Sequence, residues 1–353
     1  MTKENSLRID FLKFVCAILV VAIHTPWPGG EIWSWTWIAS NLFFGRGLSR
    51  AAVPFFFVCS GYFLARHLGT RQDWWQAVCK RVRTLIVPFF VWTWITALCL
   101  VVISGLTDLA SGQPLGTTPL AYVPDVGWRR ILKLLGVSWE APLLIQLWYV
   151  RNLFLLVLTA PILSFLVKKL GCVWLIVCYL ATIFQWMIPE LIVIDPYIYS
   201  WSGVFYFSCG IYIFERGIKA PSFRQPRWLS VTAIILSCAL LVGTLILTAN
   251  GCITSRFMLE ACVIPFILIG AWLVAPPCHL SRWLVNMSFQ IYILHKIIIS
   301  FARLLLDRIP FLCELPRTCA IMCLVVGIFG SILVAHALRR YCPRFARVAF
   351  GER

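Results

Sequence analysis

The stretch IDFLKFVCAILVVAIH, from Ile9 to His24, places an acid, a lysine and an imidazole in an otherwise apolar run. Asp10 and Lys13 are three positions apart, so on a helix they are neighbours able to form an ion pair. Lys13 and His24 are eleven positions apart. At 100° per residue they return to nearly the same face, separated by about 16 Å. One helical stripe then carries a charged pair at one end and an imidazole at the other. Imidazole titrates near neutral pH and suits general-base work. Asp10 and Lys13 alone also fit an interfacial position with a snorkelling lysine, but that leaves His24 without a reason.

Other apolar runs carry similar groups. SFQIYILHKIII holds Ser288, Gln290, Tyr292, His295 and Lys296, with Ser288, Tyr292 and His295 sharing one helix face. QLWYVRNLF puts Arg151 inside an apolar run, where a guanidinium needs a partner or a cavity. In VPFFFVCSGYFLARH, Ser60-Gly61 interrupts the run. Helix packing is the favoured reading there, with Ser60 free to donate across helices. In KRVRTLIVPFF, Lys80, Arg81 and Arg83 cluster at the mouth of a span. They read either as topology anchors or as an anion site suited to phosphate.

The elements that position these residues follow from composition. The chain has 353 residues, of which 61% are hydrophobic and 13% charged, with a mean hydropathy of +0.86. Soluble domains average about 45–50% apolar and about 25% charged. The expected fold is an all-α polytopic membrane protein, one membrane domain over 1–353. Ten spans are expected near 8–27, 50–66, 84–105, 143–166, 171–188, 197–214, 229–249, 257–275, 284–305 and 318–337. With the N-terminus inside, most lysines and arginines fall on the cytoplasmic side, so both termini are expected there. The net charge of +17 is then a topology signal. No nucleic-acid module is present, and nucleic acid is excluded as a partner.

Segment 106–142 is expected outside, with a loop-like first part and a basic amphipathic second part, GWRRILKLLGVSW, lying in the interface plane. Segment 26–49 is the other outer loop, and its tryptophans read as an aromatic belt. The N-terminal run has no small-residue cleavage site and reads as an uncleaved span. The 15 cysteines sit mostly in apolar runs and behave as small hydrophobes. Cys252 and Cys313 fall in outer loops, which leaves a bridge between them open. No metal site is expected.

The chain resembles the membrane acyltransferase family 3, whose members O-acylate surface glycans and related lipids. The resemblance covers nearly the whole chain. It rests on the ten-span layout and on the family's Arg-x10-His signature, matched here by Lys13 and His24. It rests also on the segments VPFFFVCSGYFL, KRVRTLIVPFFVW, LWYVRNLF, FSCGIYIFER and SFQIYILHKIII, in that order. Lysine at position 13 departs from the signature, keeping the charge and losing the fork.

The resemblance implies a multi-pass protein of a bacterial cytoplasmic (inner) membrane. It implies acyl-CoA, often acetyl-CoA, as donor and co-substrate, with no permanently bound cofactor. The acceptor is a hydroxyl of an extracytoplasmic glycan or glycolipid. Lys80, Arg81 and Arg83 would hold the CoA phosphates, and the pantetheine arm would thread along the Asp10/Lys13 stripe. His24, near the outer side, would act as base or acyl carrier. Tyr292, His295 or Arg151 would stabilise the oxyanion, and Ser60 would position the donor. For His295, a satisfied core histidine bonded to Tyr292 or Ser60 is an equal reading. The lipid bilayer is the surrounding partner, and a second copy of the chain, giving a homo-oligomer, is a candidate one. The same polar interior would also suit a transporter of a small polar or amphipathic solute. The absence of paired broken helices or inverted repeats favours the enzyme. A structural partner in glycan export is the third reading.

Overall fold

The structure, a computed structural model, describes residues 2–44, 47–114, 127–138, 140–187, 199–219, 227–251 and 262–352. Among the described residues all regular secondary structure is helical. The helices are α1 (Lys3–His24), α2 (Trp35–Leu42), α3 (Ala52–Ala65), α4 (Arg71–Arg81), α5 (Val87–Ala110), α6 (Trp128–Leu135), α7 (Trp148–Leu170) and α8 (Cys172–Met187). They continue with α9 (Trp201–Glu215), α10 (Arg227–Ala249), α11 (Ile264–Val274), α12 (Arg282–Leu306), α13 (Pro310–Cys313), α14 (Pro316–Tyr341) and α15 (Pro343–Ala349). A π-helical turn, Val82–Ile86, joins α4 to α5.

Among the described residues, six helical stretches are long and apolar enough to cross a membrane: Leu48–Ala65, Arg71–Ala110, Ile145–Leu170, Trp228–Ala249, Trp283–Leu306 and Pro316–Tyr341. The protein is a multi-pass membrane protein. The other four expected spans also fall on helices. Those at α8, α9 and α11 are short, and α1 carries Arg8, Asp10 and Lys13. Residues 188, 197–198 and 257–261 of the expected spans lie outside the described residues.

α1 packs against α3, α11, α12 and α14. Its small residues Ala17 and Ala22 are buried, as is Val21. Arg8 is fully buried at the other end. Its Nε donates to the Ala275 carbonyl at 3.1 Å and a terminal nitrogen donates to the Trp272 carbonyl. The guanidinium lies 4.3 Å from the Trp272 ring centroid, with Glu4 at 3.9 Å. A cation that satisfies the last carbonyls of α11 also meets the negative end of its dipole.

α3 and α9 touch through their backbones. A Cβ on Gly61 would stand 2.1 Å from the Phe207 carbonyl oxygen, and one on Gly210 would stand 2.1 Å from that of Val58. The packing reading of Ser60-Gly61 therefore holds for the glycine. The C-terminal residues fold back onto the bundle. Trp92 Nε1 donates to the Ala349 carbonyl at 2.8 Å, Phe350 is buried against Trp92, and Glu352 accepts from Gln290 at 2.8 Å and from Arg339.

Two segments expected on the outer side differ from or refine the sequence reading. Segment 26–49, expected as a loop, contains α2, because Ser34 caps it by accepting the Trp37 amide at 3.2 Å. The basic amphipathic segment does form a helix, α6, and its Lys133 is buried, paired with Glu140 at 3.6 Å. Residues 115–126 and 139 of the 106–142 segment lie outside the described residues. So does Cys252, together with the side chain of Cys313, so their bridge is not described.

Replacing Gly61 by alanine should cost about 1–3 kcal/mol, the usual cost of overpacking. Gly69, whose Cβ would meet nothing within 4 Å, is the control. Thermal unfolding in detergent should show a lowered midpoint for Gly61→Ala and an unchanged one for Gly69→Ala.

Candidate active site

His24 is the last residue of α1, and it lies against the middle of α12 rather than near that helix's end. Its ring centroid is 5.2 Å from that of His295, with a tilt of 37°. His295 is fully buried, and its Nδ1 lies 2.9 Å from the Ile291 carbonyl oxygen. A carbonyl only accepts, so Nδ1 carries the proton and Nε2 is a bare acceptor. That Nε2 has no hydrogen-bond partner among the described residues. The charges facing His24 are those of Lys296 on its neighbouring helix and Arg50 from the turn before α3.

Tyr292 sits one turn before His295, with ring centroids 6.4 Å apart. Its hydroxyl donates to the backbone carbonyl of Gln146. Gln146 in turn donates from Nε2 to the Ile293 carbonyl at 3.2 Å. This reciprocal pair ties the turn before α7 to α12. It also places Tyr149, whose ring meets Tyr292 edge-on at 5.8 Å. Tyr149 is hydrogen-bonded to Ser60 and faces the charge of Arg81.

Below these rings a cavity of about 420 Å³ opens between the end of α3 and α4. Arg66, His67, Lys80 and Arg81 line it together with one acid, Asp73, and with Phe63 as an apolar edge. Lys13 Nζ lies 5.2 Å from the Phe63 ring centroid and 3.8 Å from Asp10. Both members of that ion pair are about one-third exposed. Lys13 therefore stands where the cavity meets α1. A polar and aromatic row leads from the cavity through Arg81, which faces Tyr149, and on through Tyr292 to the two histidines, with Ser60 bonded to Tyr149.

The sequence-predicted residues divide clearly. His24, His295 and Tyr292 come together. Asp10, Lys13, Ser60, Lys80 and Arg81 border the cavity or the row leading from it. Arg83 is exposed and is not among the cavity's lining residues. Arg151 donates to the carbonyls of Ser138 at 2.7 Å and Glu140 at 2.9 Å, holding the segment before α7. Tyr292 donates to a backbone carbonyl, His295 offers a lone pair, and Arg151 serves the 138–140 segment. Sequence reasoning missed Tyr149 and Gln146. Both stand in LLIQLWYV, where a glutamine amid leucines was the available signal.

The comparison with protein families decides the class. The family model described as an acyltransferase domain matches residues 6–336. The chain belongs to this acyltransferase family. Two curated relatives show how far the likeness to single proteins extends. The chain is 26% identical to Succinoglycan biosynthesis protein ExoH of Rhizobium meliloti (strain 1021) over 228 residues, 62% of this chain and 56% of that protein. It is 43% identical to an Amino-acid racemase of Enterococcus faecalis over 65 residues, 18% of this chain and 8% of that protein. The chain thus spans little more than half of the first relative and under a tenth of the second. No solved structure matches it.

Removing the Tyr292 hydroxyl leaves the Gln146 carbonyl without its donor. Tyr292→Phe should destabilise the fold by about 1–3 kcal/mol, the cost of a buried unsatisfied group. Denaturant unfolding in detergent, followed by tryptophan fluorescence, should show an earlier midpoint.

Proposed function

We propose that the protein is a membrane O-acyltransferase of a bacterial inner membrane, with ten spans and both termini in the cytoplasm. It moves an acetyl or other short acyl group from acyl-CoA to a hydroxyl of an extracytoplasmic glycan or glycolipid. The observation that carries this reading is the row from a cavity rich in cations to the buried His295 and the half-buried His24 beside it, in a chain of this family. The glycan acceptor is supported by the relative named for succinoglycan biosynthesis.

The cavity is of the size of a small-molecule site. Its cations suit the phosphates of CoA, with arginine offering a fork and lysine a point charge. Arg66 and His67 line the same cavity as Lys80 and Arg81, which supports giving them a share of this role and Arg83, outside the lining, a weaker one. Lys13, held by Asp10, marks the entry to the row. From Lys13 to His24 the rise along α1 is about 16 Å, a reach for the pantetheine arm. Ser60, bonded to Tyr149, lines its way.

At the end of that reach the reaction is an acyl exchange. The acceptor hydroxyl oxygen attacks the thioester carbonyl as His24 takes the hydroxyl proton. The carbon–oxygen bond forms and the carbon–sulfur bond breaks. The thiolate leaves with the electron pair and receives the proton from His24. Atoms and charge balance without a metal or a redox partner. The neighbouring lone pair of His295 supports His24 as the base, since it can hold the cation formed when His24 takes the proton.

Membranes carrying the protein, incubated with acetyl-CoA labelled in the acetyl group, should transfer label to a lipid or glycan fraction. His24→Ala should reduce transfer by about 100-fold or more, as for loss of a general base. Absence of transfer by the folded wild type, with glycolipid supplied, would overturn the reading. Lys80→Ala and Arg81→Ala should each raise KM for acyl-CoA by about tenfold, the loss of one charge-assisted bond. Arg83→Ala should change KM less than either. An unchanged KM in both Lys80→Ala and Arg81→Ala would reduce the cavity's cations to a topology signal.

A further inference from the structure

The His295 ring is fixed in one tautomer. Nδ1–H is used by the Ile291 carbonyl, within the same helix and at 2.9 Å. Nε2 is left as a lone pair, fully buried and without a donor among the described residues. A buried acceptor without a donor is costly, so its position implies a donor supplied from nearby. The ring beside it is His24. A ring-to-ring N–H···N bond of about 2.9 Å plus two ring radii spans about 5 Å between centroids. The observed separation is 5.2 Å, the spacing that such a bond requires.

We propose that His295 is a positioning residue that accepts the N–H of His24 and so fixes which His24 nitrogen is bare. This rests on the acyltransferase reading for its purpose and on the ring geometry for its existence. The N–H of His24 that faces His295 is donated to Nε2. The other nitrogen of His24 then holds its lone pair toward the reacting hydroxyl. When that nitrogen takes the hydroxyl proton, His24 becomes a cation, and the His295 lone pair stabilises it through the shared hydrogen bond. When His24 returns the proton to the thiolate, the pair is restored. His295 exchanges no proton with substrate. The anchor is the Ile291 carbonyl, which keeps His295 from turning its own N–H toward His24.

The test has a spectroscopic arm and a kinetic arm. Protein labelled with 15N in its histidine rings, in lipid nanodiscs, is examined by NMR, with His24→Gln and His295→Gln used to assign the signals. The expected result is a nitrogen–nitrogen coupling across the bond between the two rings, with His295 protonated at Nδ1. A His295 protonated at Nε2, or two folded rings without coupling, overturns the proposal. In the kinetic arm, His295→Leu should lower kcat by about 100-fold, with KM for acetyl-CoA unchanged. His295→Gln, whose carbonyl also accepts, should recover at least about tenfold of that loss. In a His24→Ala background, His295→Leu should have no further effect, because it acts through His24. A further loss there, or no recovery with glutamine, overturns the proposal. Coupling in a wild type that transfers no acyl group would keep the pair and remove the acyltransferase reading. Transfer without coupling would do the reverse.

Discussion

Everything at the site depends on α1 running through the middle of the bundle instead of along its lipid-facing rim. A helix bearing Arg8, Asp10, Lys13 and His24 cannot face hydrocarbon at low cost. Each of its polar groups has to be met by protein. Arg8 is met by the last carbonyls of α11 and by the Trp272 ring. Asp10 and Lys13 meet each other, and His24 meets His295. α14 can come close because Gly327 has no side chain, where a Cβ would stand 2.9 Å from Ile299 and 3.0 Å from Val21. Central placement of one charged helix thus dictates small residues around it and polar groups opposite it.

Much of this was legible in the sequence, for a reason that follows from helix geometry. Polar residues in apolar runs are few, and the 3.6-residue repeat says which of them share a face. That was enough to set His24, Lys13 and Asp10 on one stripe, and Tyr292 with His295 on another. It did not say that the two stripes meet, nor at what depth. His24 ends its helix, and the end of a helix reads as the edge of a membrane. In the structure that end abuts the midpoint of α12, because α1 starts at Lys3 and its charged first half lies toward one face of the bundle.

The residues that reading missed share a different property. Gln146 acts through its backbone carbonyl as well as its side chain. Tyr149 is placed by Ser60 on one side and Tyr292 on the other. Neither role has a periodicity, since each is set by partners far along the chain. Arg151 shows the converse. Its charge in an apolar run was visible, but its partners are the carbonyls of Ser138 and Glu140, and a backbone carbonyl leaves no mark in a sequence. The docking of Phe350 and Glu352 against α5, α12 and α14 was hidden in the same way.

Lysine at position 13, where the family signature has arginine, is consistent with what its neighbours ask of it. It makes one ion pair with Asp10 and one contact over the face of Phe63. Neither uses a planar fork, and an ammonium on a flexible stem supplies both. Arg8, on the Trp272 and Ala275 carbonyls, and Arg151, on the Ser138 and Glu140 carbonyls, each make two directed bonds to backbone from one side chain. There lysine would leave a carbonyl without its donor. The exchange of arginine for lysine is therefore tolerable where the group offers a single point charge. It is not tolerable where the group fastens one helix to another. Position 13 is of the first kind, one charge met by Asp10 and by the face of Phe63.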